Sequence, residues 1–364
     1  MPEDGRSLIE TRLVRLYVDA ERFAEAERHL GVARTLLARV DAVETWQKAE
    51  VDVAAARLAE ACGMVDEAAD LARRCCSGLR AALDSNSDPR IGNALIDALL
   101  LRATIAIGHG EFDAAVGLAA SALQACDARR GVDPQITIAA RSIAAMTLLF
   151  GVRDVAHAER ELRACYRSAT EAGLTREALV VATHLAGLYR HTKRPKLAVA
   201  LLTPLVGSAR LVGTRECAAG VFSEVVAANL EIGAQATAAT YLADVHAYAL
   251  GHKHMQPQAE LLMARVHLAG RTYSAALGFA RNAESGFARI GKERLAGSAL
   301  RLQAEALAGL GQMHSAIDAA KRSIETLSGR SHPERLAAAY RVLGRLSGDP
   351  AHFSKARKLV RSAR

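Results

Sequence analysis

The sequence predicts an all-α solenoid of about nine antiparallel helix pairs, on three observations. Hydrophobic residues make up 51% of the 364 and aromatics only 4%, so the apolar content is mostly Ala, Leu and Val. That composition suits close-packed helices better than sheets or aromatic-lined pockets. The β-branched, alternating runs that mark strands do not occur. One short pattern recurs along the whole chain: a turn residue, often Gly, then an apolar residue, then an Ala that opens a second helix.

The nine copies read ERFAEA, GMVDEA, GEFDAA, RDVAHA, KRPKLA, GAQATA, RTYSAA, GQMHSA and AHFSKA, with closing alanines 38 to 47 residues apart. A small residue is needed there because the two helices of a hairpin approach closely only where side chains are short. Two more small positions are expected, twelve residues earlier on the first helix and seven later on the second. The first copy has Val14, Ala26 and Ala33; the second Ala56, Ala68 and Cys75; the third Ala103, Ala115 and Ala122. The fourth has Met146, Ala158 and Cys165, the fifth Ala186, Ala198 and Leu205, and the sixth Val226, Ala238 and Val245. The seventh has Ala264, Ala276 and Ala283, the eighth Ala304, Ala316 and Ser323, and the ninth Gly344 and Ala356. Val14, Met146, Val226, Leu205 and Val245 depart from the rule by size. The turn glycine is replaced by Glu21, Arg153, Lys193, Arg271 and Ala351.

This constellation resembles the tetratricopeptide repeat, and its period of about 40 residues resembles the variant of MalT-like transcription regulators. The resemblance covers essentially the whole chain and implies a right-handed superhelical solenoid, residues 1–364 forming a single array. A subdivision is expected, if anywhere, near residues 84–90, where the spacing lengthens. Residues 350–364 are read as a basic C-terminal capping segment that covers the open end of the array. The nucleotide-binding and helix-turn-helix parts of large MalT-like regulators have no counterpart here.

The first ten residues, MPEDGRSLIE, carry acidic groups and no apolar stretch of the kind a signal peptide needs. The most apolar segment, Ile91 to Ile107, contains Asp97 and Arg102, so no membrane span is expected. A cytoplasmic location follows as the expectation. Six scattered cysteines, Cys62, Cys75, Cys76, Cys126, Cys165 and Cys217, lack ligand spacing and read as reduced packing residues.

No enzyme, metal or cofactor is implied. Gly286, Gly291 and Lys292 match a phosphate loop, but Glu293 stands where a Ser or Thr hydroxyl is required and no strand pattern precedes it. His246, His252 and His254 lack the carboxylate or thiolate that would complete a metal site. No nucleophile and base occur in a recognisable pattern.

Charge is the more informative signal. Residues 251–364 hold 19 Lys and Arg against 8 Asp and Glu, whereas residues 1–250 hold 28 against 31. In a solenoid of this type the first helix of each repeat lines the concave face, with the residues fifteen and eleven before the repeat alanine aimed into the groove. These are Arg265, Arg301, Glu305, Arg341 and Arg345 in the last three repeats, with Leu261 beside Arg265. In the fifth and sixth they are Thr183, Gly187, Ser223 and Ala227, which are small and leave the groove open. Such a surface fits a protein or peptide partner with acidic residues or a free carboxylate, and it equally fits a merely solvated charged face.

The function expected is therefore a non-catalytic protein- or peptide-binding scaffold or adaptor. The alternatives are the ligand- or partner-sensing arm of a transcription regulator and, ranked behind it, nucleic-acid binding through the basic C-terminal third. The last is disfavoured because Tyr273, Phe279, Phe287, Tyr340 and Phe353 are too sparse to interleave with the basic groups.

Overall fold

The structure, a computed structural model, describes residues 3–20, 22–40, 45–62, 64–85, 89–109, 111–128, 132–149, 154–211, 215–251, 255–328 and 333–362. Among these the regular structure is helical. Nine hairpins follow one another, as the repeat alanines require. They are α1 (Glu3–Asp19) with α2 (Phe23–Leu37), α3 (Thr45–Ala61) with α4 (Val65–Ser85), α5 (Pro89–His109) with α6 (Phe112–Asp127), and α7 (Pro134–Thr147) with α8 (Val155–Glu171). Next come α9 (Thr175–His191) with α10 (Pro195–Leu202) and α11 (Val206–Leu211), and α12 (Arg215–Glu231) with α13 (Gln235–Thr240) and α14 (Leu242–Ala249). The last three are α15 (Met255–Ala269) with α16 (Tyr273–Arg289), α17 (Glu293–Gly309) with α18 (Met313–Ser328), and α19 (Pro333–Ser347) with α20 (Pro350–Ser362).

Every repeat alanine is at most 2% exposed. In eight of the hairpins it is the fourth residue of the second helix, one turn in, where the two helices cross. The ninth differs: α20 starts at Pro350, so Ala356 falls a turn later and Ala351 lies inside the helix. The turn there is made by Gly348, at φ 72°, and Asp349 caps the helix by accepting from the Ala351 N–H at 2.8 Å. In four other hairpins whose turn is described, the residue five before the repeat alanine takes the left-handed conformation, as Gly233 (φ 79°) and Gly311 (φ 76°) do. Lys193 (φ 62°) and Arg271 (φ 59°) hold the same conformation without being glycine, a strained choice for a residue with a Cβ.

The oversized positions have structural outcomes. Leu205 closes a 3-10 turn, Thr203–Leu205, that separates α10 from α11. Pro204 within it has no N–H to give and cannot continue an α-helix. In the next hairpin the second helix breaks at Tyr241, and Val245 beyond it is fully buried. Met146 is only half-buried, and Ala145 beside it is fully buried.

The chain divides into two compact units, Met1–Val221 and Phe222–Arg364, the boundary falling within α12. In the first unit, first helices are tied by polar contacts one or two repeats apart. Asp97 on α5 receives Arg57 of α3 at 3.2 Å and Arg15 of α1 at 3.3 Å, and Ser142 of α7 hydrogen-bonds His184 of α9 at 2.7 Å. In the second unit, Phe222 is fully buried and stacks on Tyr248 of α14 with ring centroids 5.6 Å apart. The Ser323 hydroxyl donates to the Gly297 carbonyl at 2.7 Å, joining α18 to α17.

The six cysteines are free thiols, five of them buried and Cys62 partly so. Burial, with Asp52 nearby, pushes the Cys75 thiol up to about 12, and burial pushes Cys165 up to about 11. Gly286 of the phosphate-loop lookalike is a packing glycine, since a Cβ there would lie 2.5 Å from Pro257 Cγ. Gly291 and Lys292 form the turn into α17. No described helix is long and apolar enough to cross a membrane.

Candidate functional site

In the second unit the first helices α15, α17 and α19 stand side by side. The spacing 294, 298, 301, 305 puts Arg294, Ser298, Arg301 and Glu305 on one stripe of α17. Arg301 and Glu305, one turn apart, form an ion pair on that stripe. Both line a cleft of about 410 Å3. Arg265 of α15 and Tyr273 of α16 are on its wall, with Leu230, Leu268 and Leu302 supplying apolar surface. The cleft thus offers apolar area and a few convergent polar groups, the usual make-up of a recognition site.

Of the ten residues expected to face a groove, Arg265, Arg301 and Glu305 are brought together here. Arg341 lines a separate cavity of about 570 Å3 against α20, with Phe353, Ala356, Arg357, Val360 and Arg361. Arg345 is exposed. Ser223 is half-buried, whereas Ala227 is 4% exposed and so backs the surface rather than lining it. Leu261, expected to face the groove beside Arg265, packs instead against the buried cluster that contains Phe287 and Ala299.

Thr183 and Gly187 lie on α9 in the first unit. Thr183 donates to the Leu179 carbonyl at 2.8 Å, and a Cβ at Gly187 would meet open space. On α20, Ala356 is buried and Phe353, Leu359 and Val360 are half-buried, with the basic residues Lys355, Arg357 and Lys358 exposed. His246 lies on α14 and is exposed, while His252 and His254 fall outside the described residues. Among the described residues no group of three metal-ligating side chains gathers.

The structure adds two arginines that the sequence pattern did not single out. Arg335 of α19 donates from Nη1 to Ser298 Oγ at 2.7 Å. Burial, then the neighbouring Arg294, Arg301 and Arg265, push the Arg335 guanidinium down to about 10. Arg294 is also lowered by burial. Both sit near the start of their helices, before the positions that the groove rule inspects. The signal for Arg294 was available in the i, i+4, i+7 continuation of the Arg301 stripe.

No protein-family model and no curated protein matches the sequence. Among solved structures, the chain is similar to a Signal Transduction ATPase with Numerous Domains protein with a tetratricopeptide repeat sensor, from Pyrococcus horikoshii. The identity is 16%, the TM-score 0.54, and the match covers 94% of this chain and 52% of that one. The chain therefore spans about half the length of that protein. It is also similar to a Rap protein complexed with Competence and Sporulation Factor, at 13% identity and TM-score 0.60, over 97% of this chain and 99% of that one. A third likeness is to NprR in complex with its cognate peptide NprX, at 10% identity and TM-score 0.61, over 97% and 96%. At these identities the likeness is one of fold: a tetratricopeptide-like array of helix pairs.

Proposed function

We propose that this chain is a non-catalytic scaffold or adaptor that holds a peptide or a peptide-like segment of a protein partner against its first helices. The observation that carries this reading is the cleft between α15, α16 and α17. Leu230, Leu268, Leu302 and Tyr273 supply desolvation there, and Arg265 and the Arg301–Glu305 pair supply orientation. Ion pairs that keep access to solvent contribute about 0–1 kcal/mol each, so they select and steer more than they hold. Two proteins of the same fold, Rap and NprR, are seen with a signalling factor and a cognate peptide, which supports a peptide as the partner class.

Arg341, Arg345 and Ser223 belong to the same reading as contact positions of the second unit, and Thr183 and Gly187 as those of the first. No catalytic step and no cofactor enters the proposal, and the location proposed is cytoplasmic. A second reading, the sensing arm of a larger regulator, is favoured by one observation: the array matches about half of a protein that couples such repeats to an ATPase. In that case a bound partner would shift the packing of the helix pairs.

The test is a selection of random peptides on the immobilised full chain, repeated with the Arg265→Ala, Arg301→Ala double variant. An enriched peptide family whose affinity falls about tenfold or more in the variant is the expected result. No enrichment, or affinity indifferent to the variant, rejects the cleft as the site. Retention of nucleic acid that weakens steeply with salt would replace the reading by counterion-driven binding.

A further inference from the structure

Arginines of three neighbouring helices gather around Ser298: Arg335 of α19 donates to its Oγ at 2.7 Å, Arg294 and Arg301 stand one turn to either side of it on the α17 stripe, and Arg265 of α15 lines the adjoining cleft with Arg301. All four are half-buried. Among the described residues, neither Arg294 nor Arg335 has a carboxylate partner. Glu305 is engaged by Arg301, Glu284 is taken by Arg322 at 2.7 Å and by the Gln303 amide at 2.7 Å, and exposed Glu334 offsets Arg335 less than the three arginines oppose it. Among the described residues the Arg335 side chain makes its hydrogen bond to Ser298 Oγ, and the Arg294 guanidinium makes none.

Gathering and half-burying like charges is unfavourable unless something compensates them. Guanidinium forks match the geometry of an oxyanion, which accepts several N–H bonds at once, and the Ser298 hydroxyl, which accepts from Arg335 and donates to the Arg294 carbonyl at 3.2 Å, holds Arg335 beside α17. We propose that Arg294 and Arg335, positioned by Ser298 and flanked by Arg265 and Arg301, form a seat for one oxyanion group. Its two candidate sources are a carboxylate on the bound peptide and free phosphate. The occupant rests on the peptide-binding reading, whereas the seat does not.

The seat explains why three adjacent repeats each contribute an arginine to the same point. A charge kept only for solubility would be distributed outward, as Arg281 and Arg289 are on α16. It also predicts a signature that a structural cluster would not give. With no anion present, removing Arg335 relieves repulsion and raises the melting temperature. With an anion present, the same change removes a binding contribution.

The experiment compares the full-length wild type with Arg335→Gln, Arg294→Gln, the double variant and an Arg281→Gln control. Melting temperatures are measured in inorganic phosphate and in chloride at matched ionic strength. Retention of two random peptide pools follows, one with acidic residues and a free C-terminus, the other with Asn and Gln in their place and a C-terminal amide. The seat predicts a phosphate-specific upward shift in wild type and control that is absent from the double variant. It also predicts about tenfold or greater preference for the acidic pool, lost in the same variant.

If phosphate acts through Arg294 and Arg335 while neither pool is retained, the seat stands with phosphate as its occupant and the peptide reading fails. If both pools are retained equally by wild type and variant with no phosphate response, the peptide reading stands and the seat is overturned. A phosphate response that survives in the double variant also overturns it.

Discussion

Gly309, the last residue of α17, packs directly on the ring of Tyr273, the first residue of α16, so closely that a Cβ at Gly309 would overlap the ring. Tyr273 in turn lines the cleft. The missing methyl on one helix therefore sets the position of an aromatic wall contributed by another.

Gly309→Ala is accordingly expected to destabilise the protein by about 1–3 kcal/mol through overpacking, although alanine is the better helix former by about 1 kcal/mol. The ring must move or the helices must part. A urea unfolding midpoint checks the sign: a midpoint equal to or above that of wild type would mean that the Tyr273 ring swings away without cost. The same variant should weaken any ligand of the cleft.

Lys193 and Arg271 hold positive φ at the position where Gly233 and Gly311 sit in other repeats. The left-handed conformation costs a residue with a Cβ about 1–2 kcal/mol, and glycine loses about 0.4–1 kcal/mol of that advantage through its freer unfolded chain. Lys193→Gly and Arg271→Gly are each expected to stabilise by roughly 0.5–1 kcal/mol. Thermal melts of the single variants and the double should show upward shifts that add, because the turns belong to different units. Lower melting temperatures would mean that the left-handed turn is held by side-chain contacts of the lysine and arginine.

Most of the fold was legible because it rests on a few steric positions that recur. A buried alanine at a helix crossing tolerates little else, so the nine alanines located the nine hairpins. The last hairpin was displaced by a turn because Ala356 satisfies the pattern while Gly348, Asp349 and Pro350 start the helix earlier. The site was legible only in part. The groove rule reads two positions per repeat, and those positions gave Arg265, Arg301 and Glu305. Arg294 could have been read from the Arg301 stripe, but Arg335 reaches it through packing between different repeats, which no local spacing encodes. Ala227 satisfied the same rule yet lies buried, because a small side chain at a groove position is easily overhung by its neighbours.

The thiols of Cys75 and Cys165 offer a readout of whole-repeat opening. Burial raises both, to about 12 and about 11, so thiolate is scarce at neutral pH and the groups are shielded as well. Iodoacetamide at pH 8 should label neither residue in the folded protein and both in denaturant, as followed by peptide mass spectrometry. Rapid labelling of Cys75 under native conditions would show that the α3–α4 hairpin opens on its own.

His184 supplies the sharpest dependence on pH. Its ring is enclosed by protein with slight solvent access, and burial pushes it down to about 4. The Ser142 hydroxyl meets its Nδ1 at 2.7 Å, a contact whose donor is set by the tautomer of the neutral ring. Because the folded form binds its proton less readily than the unfolded chain, near 6.5, the contribution to stability is complete above about pH 6.5 and is lost as pH falls toward about 4. At pH 5 the loss is about 2 kcal/mol, with residual solvent access making that an upper value. His184→Gln keeps a hydrogen-bonding side chain for Ser142, able to donate or accept, and removes the titration. Urea midpoints at pH 7 and pH 5 should therefore differ markedly in wild type and much less in the variant. An equal drop in both would place the acid sensitivity in other groups, such as Glu159, which Arg194 and Arg163 hold below the usual carboxylate range, and not in this buried imidazole.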